Sequence, residues 1–416
     1  MLTVAQAAEQ IVATAAPLPE ERVPLLDALG RVLRAPIVSP VTLPPWDNAA
    51  MDGYAVRAAD IAGASADRPI TLRGLETVAA GQFPTTAVGP GEATRIMTGA
   101  PVPTGADSVV RVEDTDAGIE RVTISNARDA RRNIRPRGED IRAGETVLPA
   151  GTPIGAAQIG VLASVGAAMV LVHRRPRVAI LGSGDELVDL DRFTEVIAGK
   201  KIVSSNSYTL HALVRAAGGD PVPLGAVPDD PAALGEALRS ARDADLIVTT
   251  AGISVGAFDY TRDVFASVGG EIKFWKVRMR PGAPLGFGFL GTTPWIGLPG
   301  NPVSAMVTFE LFVRPVIRRM LGHDRLFRRP VPVVLSEVVT VSARLTHFLR
   351  AIVSVAPDGS LAARLTGPQG SGILTSMSLA NALLVVPEDS PRLEVGSTAH
   401  ALLLTEDAGF SSQFAL

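Results

Sequence analysis

The spacing of apolar residues differs from one part of the chain to the next. The first residues suit a short amphipathic helix that Thr3 caps and Pro17 ends. From about residue 50 to 145 the apolar runs are short and broken by turn residues, as in SVVRVED and ERVTISN, which indicates strands. The uncharged stretch from Thr152 to Val172 contains glycines and polar residues, so a short helix after Pro153 followed by a strand explains it better than a membrane span.

The second half of the chain changes pattern twice. From Arg177 onward, apolar strand-like runs alternate with helical segments, which predicts a parallel sheet flanked by helices. This region closes with a strand, the turn GLPGNP and a long helix. After about residue 327 the runs return to strands with no helix between them, which favours a small barrel or sandwich.

We therefore predict a multidomain chain of the α/β plus β-rich class. It has a central parallel α/β sheet domain, a β-rich inserted domain and a C-terminal small β-barrel. The predicted boundaries are 1–48 plus 146–176 for a discontinuous helical and linker domain, 49–145 for the insertion, 177–326 for the α/β domain and 327–416 for the barrel.

Composition narrows the chemistry. The 416 residues include no cysteine and five histidines, which excludes disulfides, thiolate nucleophiles and cysteine-ligated metals, so a bound metal should be hard and oxygen-ligated. A net charge of −3 without a basic block argues against nucleic-acid binding. The N-terminus does not read as a secretion signal, and we expect a soluble, cytoplasmic protein. Only four of the 39 basic residues are lysines: Lys200, Lys201, Lys273 and Lys276.

Ligands of an open α/β sheet bind beyond the carboxyl ends of its strands, so the loops there are the candidate site. Three of these loops carry glycine: 182–186, 251–256 and 297–302. The last two suit a phosphate, and Asn301 is expected to cap the helix that follows. The first loop lacks the third glycine of a dinucleotide fingerprint and carries two carboxylates. The phosphate-type residues are Gly252, Ser254, Gly256, Gly297, Gly300 and Asn301.

Carboxylates near these loops have two interpretations each. Asp185 is expected to cap the following segment, whereas Glu186 is favoured for function. Asp230 precedes Pro231 and suits a helix cap, which leaves Asp229 to face the crevice. Asp259 could equally be the cap of a helix beginning near Thr261.

The strand EIKFWKVRMRPG should place Lys276, Arg278 and Arg280 on one face, with Lys273 and Trp275 on the other. Three cations on one face suit an oxyanion or phosphate, although a solvated edge strand would give the same pattern. Carboxylates, cations and phosphate-type loops together indicate Mg²⁺-assisted transfer or hydrolysis of a phosphoanhydride.

Seven strings carry a family resemblance across nearly the whole chain. In order they are LPPWDNAAMDGYAV, RIMTGAPVPTGADSVVRVED, NIRPRGEDIRAGE, GSGDEL, SNSYTL, AGISVGAFDY and GLPGNPVSA. With this order and spacing the chain resembles the molybdopterin molybdenumtransferase family, which includes MoeA and the E domain of gephyrin. After residue 330 only FLRA and QGSGIL match, and loosely.

The resemblance implies that adenylylated molybdopterin and molybdate react, with Mg²⁺, to give molybdenum cofactor and AMP. It also implies an elongated homodimer of four-domain subunits with an intersubunit active site, and contact with the pterin adenylyltransferase. Asp229, Glu186 and Asp259 would hold Mg²⁺ or position the reactants. The positions carried over by motif are Asp52, Thr98, Asp140, Glu186, Asp229, Asp259, Lys276, Arg280, Arg350 and Ser371. Without the resemblance, turn chemistry alone would explain Asp52 and Thr98.

Some positions depart from the family pattern. The family commonly has lysine where this chain has Arg280, and often lysine where it has Ala283. It also has glycine at the position of Ala251 and threonine at the position of Ser183. Arginine keeps the charge and can bind an oxyanion in bidentate fashion. The departures leave open a paralogue of altered specificity, such as tungstate insertion. A pterin adenylyltransferase and a non-catalytic scaffold are also compatible with the sequence.

Overall fold

The structure, a computed structural model, describes residues 1–250, 258–342 and 344–405, and only the backbone of residues 258–262. Contacts within the chain define two compact units. The larger unit comprises Met1–Arg34, Pro153–Gly155 and the chain from Met169 onward. The smaller unit comprises Ala35–Thr152 and Ala156–Ala168.

The larger unit begins with helix Val4–Ala13. Thr3 caps it as predicted, because the Thr3 hydroxyl accepts from the amide of Gln6 while the Gln6 side chain accepts from the amide of Thr3. Ala7 and Ile11 on one face of this helix are fully buried in the core of the α/β sheet. Strand Glu20–Pro24 then pairs antiparallel with Met169–His173.

A six-stranded sheet forms the centre of the larger unit. Its spatial order is Asp220–Val227, Arg177–Ser183, Leu246–Thr250, Thr293–Leu298, Pro284–Leu290 and Gly270–Lys276. Its helices are Ser205–Ala216, Pro231–Ser240 and Phe258–Ser267, and the short paired strands Leu187–Val188 and Ile202–Val203 flank helix Phe193–Ile197. Every residue of Leu246–Thr250 is buried, as expected for a strand covered on both faces.

The predicted parallel arrangement holds for the first four strands in this order. The remaining two are antiparallel to their neighbours. Only two residues join Pro284–Leu290 to Thr293–Leu298, which suffices for a hairpin but not for the crossover that a parallel pair needs. Gly291 in this turn has a φ of +63°, a value that favours glycine.

The predicted long helix follows the sheet in three continuous parts. Pro302–Thr308 is α-helical, Phe309–Val313 forms a π-helical turn and Arg314–Met320 is α-helical again. Phe309, Phe312 and Ile317 on this helix are fully buried against the sheet core. The helix therefore anchors the loop at its N-terminus to the buried core of the unit.

The C-terminal strands close into a five-stranded barrel. Thr346–Val355 pairs with both Leu361–Leu365 and Ala382–Val386, and Val331–Leu335 and Thr398–Leu403 complete the circuit. The expectation of no helix after residue 327 is wrong, because Leu374–Leu379 is helical. The short strand Met279–Arg280 pairs in parallel with Thr346–Val355, and Val339–Thr340 pairs with Arg392–Leu393.

The smaller unit is β-rich, as predicted. Its five-stranded sheet has the order Ser108–Arg111, Gly53–Val56, Glu92–Ile96, Ile70–Val78 and Arg121–Ile124. Two further pairs join Ile37–Val38 with Thr146–Leu148 and Asn48–Ala49 with Ile134–Arg135. Helix Ala156–Ser164 also belongs to this unit.

Short 3₁₀ turns complete both units: Leu25–Ala28, Ala58–Ile61, Val112–Asp114, Leu190–Arg192 and Ala241–Asp243. None of the helices in the described ranges combines the length and apolar character needed to cross a bilayer.

Candidate functional site

The carboxyl ends of the parallel strands open on a cavity of about 620 Å³, which we call the carboxylate cavity. The residues that follow each of the four parallel strands contribute to it, as expected for an open α/β sheet. They include Gly184 and Glu186 after Arg177–Ser183 and Asp229 after Asp220–Val227. Thr250 at the end of Leu246–Thr250 and residues 299–301 after Thr293–Leu298 complete them.

The turn that carries Glu186 depends on Gly184. Gly184 has a φ of +152°, a conformation essentially restricted to glycine. A Cβ atom at this position would lie 2.7 Å from Oε2 of Glu186, because the Glu186 carboxylate folds back over the glycine. The amide of Leu187 closes the turn by donating to the Gly184 carbonyl at 3.1 Å. The missing side chain at residue 184 therefore makes room for the carboxylate.

Asp229 lies beside two other carboxylates. Burial, and then the negative charges of Asp185 and Glu186, raise the pKa of Asp229 above its ordinary value. Contrary to the prediction, the Asp185 side chain does not cap the segment after it but accepts from the amide of Asp229 at 3.1 Å. Asp230 caps its helix by accepting from the amide of Ala233, as predicted. Asp229 is thus left facing the cavity.

The turn after the fourth parallel strand differs from the prediction in two ways. Gly297 lies inside strand Thr293–Leu298, so the turn begins only at Pro299. Asn301 occupies the N-cap position, but its side chain makes no capping hydrogen bond. The turn is held instead by Asn206, whose side-chain amide donates to the Gly300 carbonyl at 2.7 Å. Sequence reasoning assigned Asn206 no role, although it belongs to the SNSYTL string.

A second cavity of about 710 Å³, which we call the arginine cavity, adjoins the first. Pro284, Pro299 and Asn301 line both cavities. The arginine cavity lies between the turn from residue 279 to 284, the start of helix Pro302–Thr308 and the C-terminal barrel, and Arg280, Arg350 and Ser371 line it. These three positions were all predicted as site residues.

Arg350 is a fully buried cation. Its Nε donates to Ser376 Oγ at 3.0 Å and its Nη2 to the Gly370 carbonyl at 3.0 Å, while Nη1 is buried with no hydrogen-bond partner within the described residues. The Gln369 side chain bonds both the amide and the carbonyl of Arg350. Burial lowers the pKa of Arg350 from its ordinary value. A buried positive charge held only by neutral groups favours an anion beside it.

The other basic residues predicted for the site do not all lie at the arginine cavity. Arg280 is exposed at the arginine cavity, but Lys276, also exposed, lines neither cavity in the described part of the chain. Arg278 forms an ion pair with Glu388 at 3.4 Å. Lys273 is exposed whereas Trp275 is buried, and the strand pairing slips between residues 272 and 276, so the strict alternation behind the prediction is broken here.

Predicted site residues also occur in the smaller unit. Thr98 donates to Asp52 Oδ1 from its backbone N–H at 2.7 Å and from its hydroxyl at 2.8 Å. The backbone hydrogen bond is the main reason why the pKa of Asp52 is lowered from its usual value. Asp140 is exposed, and its amide donates to the Leu43 carbonyl at 3.1 Å. Two residues 46 positions apart in sequence, Asp52 and Thr98, are thus brought into contact.

Several predictions fall on residues that the structure leaves out. Gly252, Ser254 and Gly256 lie outside the described residues, as does the side chain of Asp259. The backbone shows Asp259 inside helix Phe258–Ser267, so it is not the N-cap of a helix beginning near Thr261. Among the described side chains, no group of three or more acidic or histidine residues is arranged to hold a metal ion.

The donor set nevertheless fits a hard cation. Glu186 and Asp229 are oxygen donors in one cavity. Burial, and then the charges of Asp185 and Glu186, raise the pKa of Asp229, and a divalent cation beside it would oppose both effects. The arginine cavity offers positive charge to an oxyanion. The paired cavities can therefore hold a phosphate-bearing molecule with its cation next to a second anion.

Family descriptions match almost the whole chain in three consecutive parts. Residues 2–166 match the MoeA N-terminal region (domain I and II) and residues 179–319 match a description named "Probable molybdopterin binding domain". Residues 332–404 match the MoeA C-terminal region (domain IV).

Similar proteins match most of the chain. The chain is 41% identical over 389 residues to molybdopterin molybdenumtransferase 2 of Mycobacterium tuberculosis, covering 92% of this chain and 95% of the relative. It is 40% identical over 374 residues to the molybdopterin molybdenumtransferase of Nostoc sp., covering 88% and 85%. The crystal structure of the molybdopterin biosynthesis MoeA protein from Pyrococcus horikoshii superposes with a TM-score of 0.83 at 29% identity, covering 97% of this chain and all of that one.

Proposed function

Because this chain belongs to the MoeA family, whose named relatives are molybdopterin molybdenumtransferases, we propose that it transfers molybdenum from molybdate to adenylylated molybdopterin and releases AMP. As a member of this family it is a transferase of molybdenum cofactor biosynthesis. The proposal goes further in naming the adenylylated substrate, the Mg²⁺ requirement and the residues that act.

The carboxylate cavity takes the phosphoanhydride of the pterin substrate in this proposal. Glu186 and Asp229, with Asp259, would hold Mg²⁺, and the cation would neutralise phosphate charge. Gly300 supplies backbone at the turn that Asn206 braces, and the 252–256 loop is the second phosphate-binding element. Bare phosphate against these carboxylates would be repelled, so the cation follows from the charges of the site.

The arginine cavity takes molybdate. Arg280 and Arg350 face the oxyanion with positive charge, while Asn301 and Ser371 offer polar groups beside it. Hydrogen bonds to Ser376 and Gly370 hold the Arg350 guanidinium in place, so little side-chain entropy is lost when the oxyanion binds.

The remaining assignments rest on the family motifs. Lys276 and Gly297 are assigned to the pterin ligand and its phosphates, and Asp52, Thr98 and Asp140 to catalysis. A cytoplasmic homodimer with an intersubunit active site, in contact with the pterin adenylyltransferase, completes the proposal.

One observation carries the proposal: a cavity that holds Glu186 and Asp229 adjoins a cavity that holds Arg280 and Arg350. A cation-dependent phosphate site next to an oxyanion site is what joining molybdate to an adenylylated pterin requires. A scaffold would have no need of either charge arrangement.

Substitution of Glu186 tests the proposal. Purified protein is given adenylylated molybdopterin, molybdate and Mg²⁺, and AMP is quantified by chromatography. Glu186→Gln should slow AMP release about 10²-fold or more through loss of the cation contact. Glu195→Gln is the matched control, because Glu195 is paired with Arg192 on the nearby short helix and should leave the rate unchanged. Equal rates for both variants would remove Glu186 from the mechanism.

Assays with other substrates distinguish molybdenum transfer from three competing functions. Adenylylation of unmodified molybdopterin from ATP would indicate a pterin adenylyltransferase. Faster turnover with tungstate than with molybdate would indicate a tungsten-specific paralogue. Absence of AMP release from the wild-type protein with either oxyanion would favour a non-catalytic scaffold.

A further inference from the structure

His347 lies in the arginine cavity, and nothing in the motifs assigns it a role. It is 3% exposed and sits in strand Thr346–Val355 of the barrel. Its Cα is the partner of Arg280 in the parallel pairing with strand Met279–Arg280. Paired residues of neighbouring strands point to the same side of a sheet, and both side chains line the cavity.

A backbone hydrogen bond sets the tautomer of His347. Nδ1 lies 2.8 Å from the Leu345 carbonyl oxygen, which can only accept, so Nδ1 carries the proton. Nε2 therefore holds a lone pair when the ring is neutral, and it has no hydrogen-bond partner within the described residues. This nitrogen is the one available to a ligand in the cavity.

The charged residues that line the arginine cavity with His347 are both arginines, and Arg344 in the adjoining loop is exposed and does not line the cavity. Arg280 faces it from the neighbouring short strand and Arg350 lines the same cavity, whereas the barrel strand Ala382–Val386 on its other side carries no titratable residue. The loop from residue 340 to 345, the turn from 369 to 371 and the start of helix Pro302–Thr308 contribute hydroxyl, amide and apolar groups to the cavity. No carboxylate is found among the described residues that line it.

These surroundings oppose protonation of the empty site. Burial and the charge of Arg280 together hold the pKa of His347 below its ordinary value of 6.5, and the hydrogen bond to Leu345 offsets only part of that effect. An anion placed between His347 and Arg280 would instead raise the pKa of His347. A neighbouring opposite charge favours the protonated form by about 1–3 pKa units.

We propose that His347 is an oxyanion-binding residue that takes up a proton at Nε2 when a tetrahedral dianion enters the arginine cavity. The proton comes from solvent, one N–H bond forms, no bond of the oxyanion breaks, and the imidazole changes from neutral to singly positive. The bound dianion then meets imidazolium as well as Arg280 and Arg350. The identity of the dianion as molybdate rests on the proposed function; the proton uptake does not.

Two consequences follow. Dianion affinity should rise as pH falls toward 6, by up to about tenfold per pH unit if one full proton is taken up. A tetrahedral monoanion such as perrhenate should bind with less proton uptake, because a single negative charge stabilises imidazolium less. The residue would thus favour dianions over monoanions.

Calorimetric titration of the full chain with sodium molybdate at pH 6.5 tests the proposal. It is run in two phosphate-free buffers of low and high ionisation enthalpy, so that the difference in heat gives the protons taken up per molybdate bound. Wild-type protein should take up a substantial fraction of a proton, and His347→Gln should take up almost none. His400→Gln is the matched control, because His400 is an exposed histidine of the same barrel and should leave the uptake unchanged.

Equal proton uptake in wild type and His347→Gln would overturn the proposal, as would the absence of measurable molybdate binding to the wild type. If His347→Gln does not fold, the imidazole signals of the wild-type protein give the same answer by NMR, since the chain has only five histidines. One signal should then titrate at higher pH with molybdate than without. Uptake without AMP release would refute the proposed function alone, and AMP release without uptake would refute this inference alone.

Discussion

Gly184→Ala tests the geometry of the carboxylate cavity. The substitution places a methyl group 2.7 Å from Oε2 and 2.9 Å from Cδ of Glu186, well inside van der Waals contact. The Glu186 side chain is exposed and flexible, so we expect its carboxylate to swing away rather than the backbone to yield. The φ of +152° adds a backbone cost of about 1–3 kcal/mol for a residue with a Cβ.

The expected result is a combined loss of stability and activity. Urea denaturation should show a destabilisation of about 1–3 kcal/mol. AMP release at saturating substrate should fall by about 10–100-fold, because displacing a positioned catalytic group by about 1 Å has effects of that size. Raising the Mg²⁺ concentration should recover part of the rate, since the displaced carboxylate weakens cation binding.

Gly199→Ala separates backbone strain from displacement of Glu186. Gly199 has a φ of +71°, and a Cβ there would meet no atom within 4 Å. This variant should lose about 1–2 kcal/mol of stability and retain wild-type AMP release. A Gly184→Ala protein with wild-type activity and Mg²⁺ dependence would refute the role given to the Glu186 carboxylate.

Three further substitutions have measurable consequences. Arg350→Lys keeps the charge but cannot reach both Ser376 and Gly370, so molybdate affinity measured by calorimetry should fall about tenfold or more; unchanged affinity would place the oxyanion elsewhere. Asp229→Asn removes a partly desolvated charge and its repulsion from Asp185 and Glu186, so the free energy of unfolding should rise by a few tenths of a kcal/mol, small because Asp229 is exposed, while AMP release falls; a destabilised variant in urea denaturation would contradict this account. Arg111 holds the pKa of Asp129 at about 2, below its ordinary 3.8, so Asp129→Asn should destabilise the smaller unit by about 2 kcal/mol at pH 7. This difference between wild type and variant should shrink as pH falls from about 4 to 2, because the wild-type carboxylate is then protonated; a constant difference would contradict the assignment.

Sequence patterns predicted the classes of structure well where apolar runs and capping residues are distinct. The run from Leu246 to Thr250 could be identified as a buried strand because it consists of three apolar residues followed by two threonines and contains no charged residue. The capping pattern at Thr3 and Asp230 also located helix starts correctly. The antiparallel direction of the last two sheet strands was missed, because direction depends on a connection length that the apolar pattern does not reveal.

The sequence predicted which residues belong to the candidate site better than it predicted the contacts between them. Glu186 and Asp229 could be placed near each other because both follow parallel strands. The neutral cradle of Arg350 could not be foreseen, since Ser376 and Gly370 reach it only through closure of the barrel. His347 had no motif at all, and only its pairing with Arg280, which lies far from it in sequence, indicates its position.

The molybdate dependence of AMP release tests the central claim most directly. Wild-type protein with adenylylated molybdopterin and Mg²⁺ is assayed in a single turnover, with and without molybdate, and both AMP and pterin-bound molybdenum are measured. If the two adjoining cavities act together, AMP release should be much faster with molybdate and should match the molybdenum incorporated mole for mole. AMP release at the same rate without molybdate, or without incorporation of molybdenum, would contradict the claim.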